Sequence, residues 1–381
     1  MNRFGDPVAL DFPVRRGRIF LRVAAVKVDS TAPRSSTFDA VVFRGLPLAV
    51  MLMAAAFGLL AGSAWSTIAG PVPWILSLFF VGLPHGAADL AVAHRLCAGR
   101  STTRLCVVYL AGIAVVCLLF RSAPLLVILL FTVLSIWHFG LSHADNQSPA
   151  TTPGCGLAVR WRQVLAALAR GSSVLGVPML AWPKETAQVA QQLLALIHSG
   201  TMQQPSEAFF AVATVRLAGL CLVGLSGCAL VVEMLTAGHV PGAWRRSWET
   251  LVDLFVIGLL ALTTDPLFSV GLYFLVWHAW RHMRMLAPIV ADTQPDRLVN
   301  LGRSLRRIHI AALPLLIPTW AALLAIWWLL SATHSYRDLA ILSLAVYVVV
   351  TPSHDLLVDY LRTRGEAASG CLSQTPATVS L

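Results

Sequence analysis

The stretch "FFVGLPHGAADLAVAHRL", Phe79 to Leu96, places a proline, two histidines and an aspartate inside an apolar run. What surrounds it decides how it is read. Of the 381 residues, 57% are hydrophobic and 12% charged, and the mean hydropathy is +0.73. An ordinary soluble domain is about a quarter charged, so this chain reads as a polytopic membrane protein. Pro84, His85 and Asp89 then lie within a membrane span, not on a wet surface.

A window of about 20 residues picks out ten apolar segments, at 46–66, 73–96, 105–120, 124–142, 164–182, 208–235, 250–264, 268–288, 309–331 and 339–361. The expected fold is all-α: a polytopic integral membrane helix bundle of about ten spans, with a transmembrane catalytic domain over 46–361. The piece "AQVAQQLLALIHSG" (187–200) is too short and too polar to span and is expected at the interface. Residues 1–45 hold eight Lys/Arg among four Asp and lack the apolar core of a secretory signal. They read as a basic arm, disordered or interfacial, and residues 362–381 read as a flexible tail. The seven cysteines are scattered without a CxxC pair, which indicates neither a zinc ribbon nor a disulfide framework.

Orientation follows from the basic residues. With a cytoplasmic N-terminus, ten arginines fall in inner loops (100, 104, 160, 162, 245, 246, 297, 303, 306 and 307). Only Arg121, Lys184 and Arg337 fall outside. The bias predicts an inner-membrane protein with both termini cytoplasmic. The net charge of +10 is accordingly a topology signal and a contact for anionic lipids, not a nucleic-acid footprint.

Ionisable residues inside a span are costly and face the bundle interior. Besides His85, the spans carry His138 in "SIWHFG", His278 and His282 in "YFLVWHAWRHMRML", and His354 in "VVVTPSHDLLVDY", with His309 at the start of another span. Under the expected topology, His85, His138, His278 and His354 fall at or past the midpoints of spans running the same way, so they can share one layer. On a helix, His278 and His282 are i and i+4 and stack about 5–6 Å apart at Cβ, close enough for both imidazoles to reach one ion. Asp89 stands in the same relation to His85, as a second-shell carboxylate or a ligand. Pro84 and Pro352 each free a carbonyl one turn earlier and predict kinks beside a histidine. Such breaks are tolerated in lipid where protein or a cavity satisfies the freed groups. His94, His143, His198, His239 and His334 read as surface residues, and Trp137, Phe139, Trp277 and Trp280 as packing residues, interfacial belts or the lining of a tunnel.

All-imidazole ligation suits iron, zinc or copper. The HExxH of zinc hydrolases is absent; the nearest pattern here is His-Ala-Trp-Arg-His. No glycine-rich nucleotide fingerprint appears, which disfavours bound NAD or flavin. A reaction consuming only O2 and substrate needs neither.

"GLPHGAADL", "SIWHFG", "YFLVWHAWRH" and "TPSHDLLV" resemble, in order and spacing, the motifs of the Brp/Blh family of membrane β-carotene 15,15′-dioxygenases, over roughly residues 46–360. The resemblance implies oxidative cleavage of a carotenoid drawn from the bilayer by O2, giving retinal that can supply a microbial rhodopsin. It also implies a non-haem Fe(II) held by His85, His138, His278 and His282, with Asp89 and His354 as second-shell candidates. Two rival readings stay open. A membrane di-iron desaturase or hydroxylase would carry HxxHH clusters, which this chain lacks. In a non-enzymatic bis-histidine haem or metal-transport protein, haem would give a sharp visible absorption band, and transport would place acidic residues along a path, whereas Glu233, Asp253 and Asp265 are few and dispersed.

Overall fold

The computed structural model describes residues 37–96, 100–144, 156–196, 210–237, 242–290, 297–331 and 333–373, and every regular element among them is a helix. In chain order these are α1 (Thr37–Ala61), α2 (Ala64–Arg95), α3 (Arg100–Ser122), α4 (Pro124–Ala144), α5 (Gly156–Ala181), α6 (Pro183–Ala195), α7 (Val212–Leu235) and α8 (Ala243–Thr263). Next comes α9, built from Pro266–Leu272, Tyr273–Ala279 and Trp280–Val290, followed by α10 (Leu298–Leu330) and α11 (Tyr336–Ser373).

Each expected apolar segment coincides with one of these helices, yet only seven of them are long and apolar enough to cross a membrane. The expected count of ten is therefore not confirmed. The apolar part of α4, Pro124–Gly140, is short. Helix α8 opens with Arg245, Arg246, Glu249 and Asp253, and α9 carries the two histidines with Arg281 and Arg284, so both are too polar to qualify. Helix α1 starts at Thr37, inside the stretch read as the basic arm, because that stretch has partners. Arg44 pairs with Glu249 at 2.8 Å and Asp253 at 3.4 Å, Asp39 pairs with Arg284, and Phe43 stacks on Trp280. Similarly, α11 continues helically to Ser373, beyond the expected tail boundary. The polar piece near 187–200 is helical over Pro183–Ala195, with Leu193 and Leu194 buried.

Among the described residues three π-helical turns interrupt the bundle, and two of them adjoin histidines: Ser77–Val81 before His85, and Tyr273–Ala279 around His278. π-turns gather at functional sites because the extra residue re-aims the side chains that follow. At Pro84 the expected break is present, since Val81 leaves helical geometry at φ −136°. The carbonyl that Pro84 frees, that of Phe80, is met by His309 Nε2 at 2.8 Å. Pro352 lies inside α11, which is helical over Tyr336–Ser373 and packs against α2, α3 and α4.

Helix α4 approaches α5 at two glycines. A Cβ on Gly140 would lie 2.1 Å from the Ala167 carbonyl oxygen, and one on Gly171 would lie 1.8 Å from that of Ile136. Helix α4 can sit this close to its neighbour only with glycine at both positions, and that fixes the height of His138 between them. Helix α5 is further tied by buried charge. Arg170 donates from Nε to Asp253 at 3.1 Å and from its terminal nitrogen to Thr250 at 2.8 Å, and Arg162 donates to the Glu233 carbonyl at 3.0 Å and to Ser247 at 2.9 Å. The scattered acids of the sequence are thus gathered by arginines. Asp265 instead accepts from the Leu267 amide at 2.9 Å and caps α9.

Removing one member of a buried ion pair strands the other and costs about 3–5 kcal/mol, whereas replacing both by apolar residues is often neutral. Asp253→Ala should therefore lower the thermal midpoint in detergent well below that of the double variant Arg170→Met/Asp253→Leu. Equal midpoints for the two would show that the pair does not secure α5 to α8.

Candidate metal centre

Five imidazoles converge from four helices: His85 of α2, His138 of α4, His278 and His282 of α9, and His354 of α11. Ring centroids lie 4.4 Å apart for His138 and His278, 4.9 Å for His85 and His282, 5.3 Å for His138 and His354, and 5.5 Å for His85 and His354. The i,i+4 pair, His278 and His282, stacks at 6.3 Å. Nε2 of His138 and Nε2 of His278 are 2.9 Å apart.

Three of the rings are tied from behind. His85 Nδ1 donates one turn back to the Val81 carbonyl at 3.1 Å, His138 Nδ1 stands 2.6 Å from Asp355 Oδ1, and His354 Nδ1 is bonded to Asp89 Oδ2. Metal-binding histidines almost always spend their second nitrogen in this way, on a carboxylate or a carbonyl. Aromatic walls hold His278: Phe274 stacks on it at 5.4 Å and 16°, with Trp74 stacked on Phe274, and Phe139 meets it edge-on at 5.1 Å.

The donors fit a metal ion. Two imidazole nitrogens bound side by side at about 2.0–2.1 Å from one ion would sit about 2.9–3.4 Å apart, between right-angled and tetrahedral placement. His138 and His278 are already at the short end of that range, at 2.9 Å. One donor atom each from His138, His354 and Asp355 also lies within 4.8 Å of the others. His354 Nε2 and Asp355 Oδ2 are buried without a hydrogen-bond partner among the described residues, while Asp355 Oδ1 meets His138 Nδ1. Orphaned buried acceptors are costly, and a cation would satisfy them.

A cavity of about 190 Å³ adjoins this cluster, walled by Phe131, Phe274, Leu315, Tyr347, Leu110 and Leu357. His85, His138 and His354 line it, as does Asp89, whereas His278 and His282 are not among its lining residues.

The arrangement differs from the sequence expectation at Asp89. Its i,i+4 spacing pointed to His85, but Asp89 Oδ2 meets His354 Nδ1 of α11. His85 is held by its own helix instead. Asp355 was passed over, although an acid directly after His354 in an apolar helix is itself a signal. Of the surface histidines, His94 and His334 are exposed; the side chain of His143 and all of His198 and His239 lie outside the described residues.

The described residues thus form a helical bundle, with seven helices long and apolar enough to cross a membrane, in which a histidine–carboxylate cluster that could hold a metal ion lies beside an apolar cavity. The comparisons give the family. A model described as "Beta-carotene 15,15'-dioxygenase" matches residues 76–362, which span all five histidines, and the chain belongs to that family of carotenoid-cleaving dioxygenases. It is 26% identical over 334 residues to the Halobacterium salinarum protein named "Probable beta-carotene 15,15'-dioxygenase Blh", covering 82% of this chain and 90% of the relative. It is 28% identical over 255 residues to the Brp protein of the same organism, named likewise, covering 65% of this chain and 68% of the relative. No solved structure matches.

The centre depends on a close approach at Gly82, where a Cβ would lie 1.9 Å from Ser77 Oγ, 2.6 Å from Tyr347 Oη and 2.8 Å from Phe274 Cε1. Gly82→Ala should displace Phe274 from His278 and destabilise the protein by about 1–3 kcal/mol, as overpacking does. Gly224→Ala, where a Cβ meets nothing within 4 Å, should be neutral or stabilising by up to about 1 kcal/mol. Thermal unfolding of both variants in one detergent checks the contrast.

Proposed function

We propose that this chain cleaves the central double bond of β-carotene, or of a related carotenoid, with O2 to give retinal, at a non-haem Fe(II) held by His85, His138, His278 and His282. The observation that carries the reading is the pair His138 and His278, with Nε2 atoms 2.9 Å apart beside an apolar cavity, in a chain of this family. Bound there, Fe(II) supplies the activation of O2, which the protein cannot perform with side chains alone.

The residues of the chain do the rest. Cleaving one C=C bond with one O2 yields two aldehydes and balances without external electrons, so no nucleotide site is required. The walls formed by Phe131, Phe274, Leu315 and Tyr347 suit a polyene that arrives from the lipid, and they keep water from the cluster. Phe274 and Phe139 hold the His278 ring in place. Asp355 fixes the orientation of His138 from behind. The retinal released into the bilayer suits a retinal-binding rhodopsin as its acceptor. The protein sits in the inner membrane with both termini cytoplasmic and its basic loops against anionic lipid headgroups.

Expression in a carotene-accumulating bacterium, followed by pigment extraction and chromatography, tests the activity. Retinal should appear as β-carotene falls; intact carotene beside well-folded, iron-loaded protein would remove the substrate assignment. In the same assay His85→Ala, His138→Ala, His278→Ala and His282→Ala should each abolish cleavage and lower bound iron, while His334→Ala should behave as wild type.

Reporter tags on the two termini test the topology. Both should report the cytoplasm, and opposite sides would mean an odd number of spans.

A further inference from the structure

We propose that His354 is itself a ligand of the metal centre, held in place by Asp89, and not only a residue packed beside the other four histidines. The proposal rests on the iron reading above and extends its ligand set to five imidazoles.

Three independent features of His354 match those of a ligand. Its ring stands among the others, 5.5 Å from His85, 5.3 Å from His138 and 5.8 Å from His282 by centroid. It is as close to His85 and His138 as any histidine of α9 is to a neighbour across the cluster, apart from His278 to His138 and His282 to His85. Its Nδ1 is engaged by Asp89, whose side chain is only 4% exposed, so ring and carboxylate are locked as a unit between α11 and α2. That is the arrangement by which a protein fixes a ligating imidazole so that Nε2 faces the ion.

The third feature is the remaining nitrogen. His354 Nε2 is buried and has no hydrogen-bond partner among the described residues. A residue serving only as packing or as an orienting group would have this nitrogen satisfied or wet, because a buried unpaired acceptor costs about 1–3 kcal/mol. His309 shows the ordinary alternative: both its ring nitrogens face backbone carbonyls, those of Leu305 and Phe80, each at 2.8 Å.

Place in the cavity adds to this. His354 lines it together with His85 and His138, whereas His278 and His282 do not. A donor atom of His354 also falls within 4.8 Å of one from His138 and one from Asp355. His354 thus stands on the face that a bound substrate meets.

The test uses full-length protein purified in detergent with its iron, comparing wild type with His354→Ala, His354→Gln, Asp89→Asn and the control His334→Ala. Iron per chain and iron retention against a chelator are measured for each, with iron K-edge absorption on the loaded samples. Loss of an outer-shell partner weakens metal binding by about 10–100-fold. Asp89→Asn should fall in that range, while both His354 variants should lose more. Iron remaining in them should show a stronger pre-edge feature, as expected when a donor is removed.

Wild-type retention and an unchanged edge spectrum in His354→Ala would overturn the proposal. Should the His354 variants not fold, the wild-type spectrum decides alone: a shell fitted by five imidazoles supports the assignment and one fitted by four overturns it. Wild-type protein that takes up no iron would instead overturn the iron reading itself, and that result needs no His354 variant to be seen.

Discussion

An imidazole inside a bilayer has two nitrogens and no water to satisfy them, and the centre of this protein is arranged around that constraint. His85, His138 and His354 each have Nδ1 tied, to a carbonyl, to Asp355 and to Asp89 respectively. The tethers fix the rings and direct Nε2 into the cluster. Two Nε2 atoms at 2.9 Å cannot both carry a proton, so at least one lone pair must face inward. The same tethers join helices: Asp89 links α2 to α11, and Asp355 links α11 to α4. Binding site and helix crossing are therefore the same set of contacts. A change that loosens a tether loosens the fold locally as well.

The bundle holds a second buried polar system, and the contrast between the two separates structure from chemistry. Around Asp253, the partners are charges of opposite sign: Arg170 at 3.1 Å and Arg44 at 3.4 Å meet a carboxylate with no exposed surface. Such pairing answers the cost of burying charge, and it explains arginines and acids in helices that lipid would otherwise reject. Around the histidines the balance is of another kind. Asp89 and Asp355 bring two carboxylates to five rings, and acceptor atoms are left over. A divalent cation is the complement that such a surplus of acceptors calls for.

Much of this was legible in the sequence because the signals were expensive ones. A histidine in an apolar run is rare enough to mark a site, so the intramembrane histidines stand out and His85, His138, His278 and His354 can be expected at one depth, whereas the ligand set His85, His138, His278 and His282 is what the family resemblance implies. The all-α membrane fold followed from composition and run length. What escaped depended on contacts between helices. The i,i+4 rule assigns Asp89 to His85, whereas Asp89 meets His354 of α11 and His85 bonds to the Val81 carbonyl of its own helix. The boundary at residue 45 was drawn where hydropathy rises, but Arg44 and Asp39 find charged partners across the bundle, and the helix begins earlier. The span count failed to settle for a related reason. Helices α8 and α9 carry the ion pairs and the histidines, and polarity that serves structure or chemistry lowers the hydropathy by which a span is recognised.

The π-turns connect these points. An α-helix places side chains at fixed 100° steps, so a helix regular throughout would aim His278 and His282 by spacing alone. The turn over Tyr273–Ala279 contains His278 and ends before His282, which lets the two rings lie 28° from parallel while meeting different partners, His138 for one and His85 for the other. The turn over Ser77–Val81 does the same for His85 and, with Pro84, leaves a carbonyl that His309 must meet from α10. The carbonyl of Phe80, which Pro84 frees, would be costly unpaired in lipid and is met inside the protein by His309. That the two turns fall beside the histidines, and that a side chain from another helix meets the freed carbonyl, ties the shape of α2 and α9 to the aim of the imidazoles they carry.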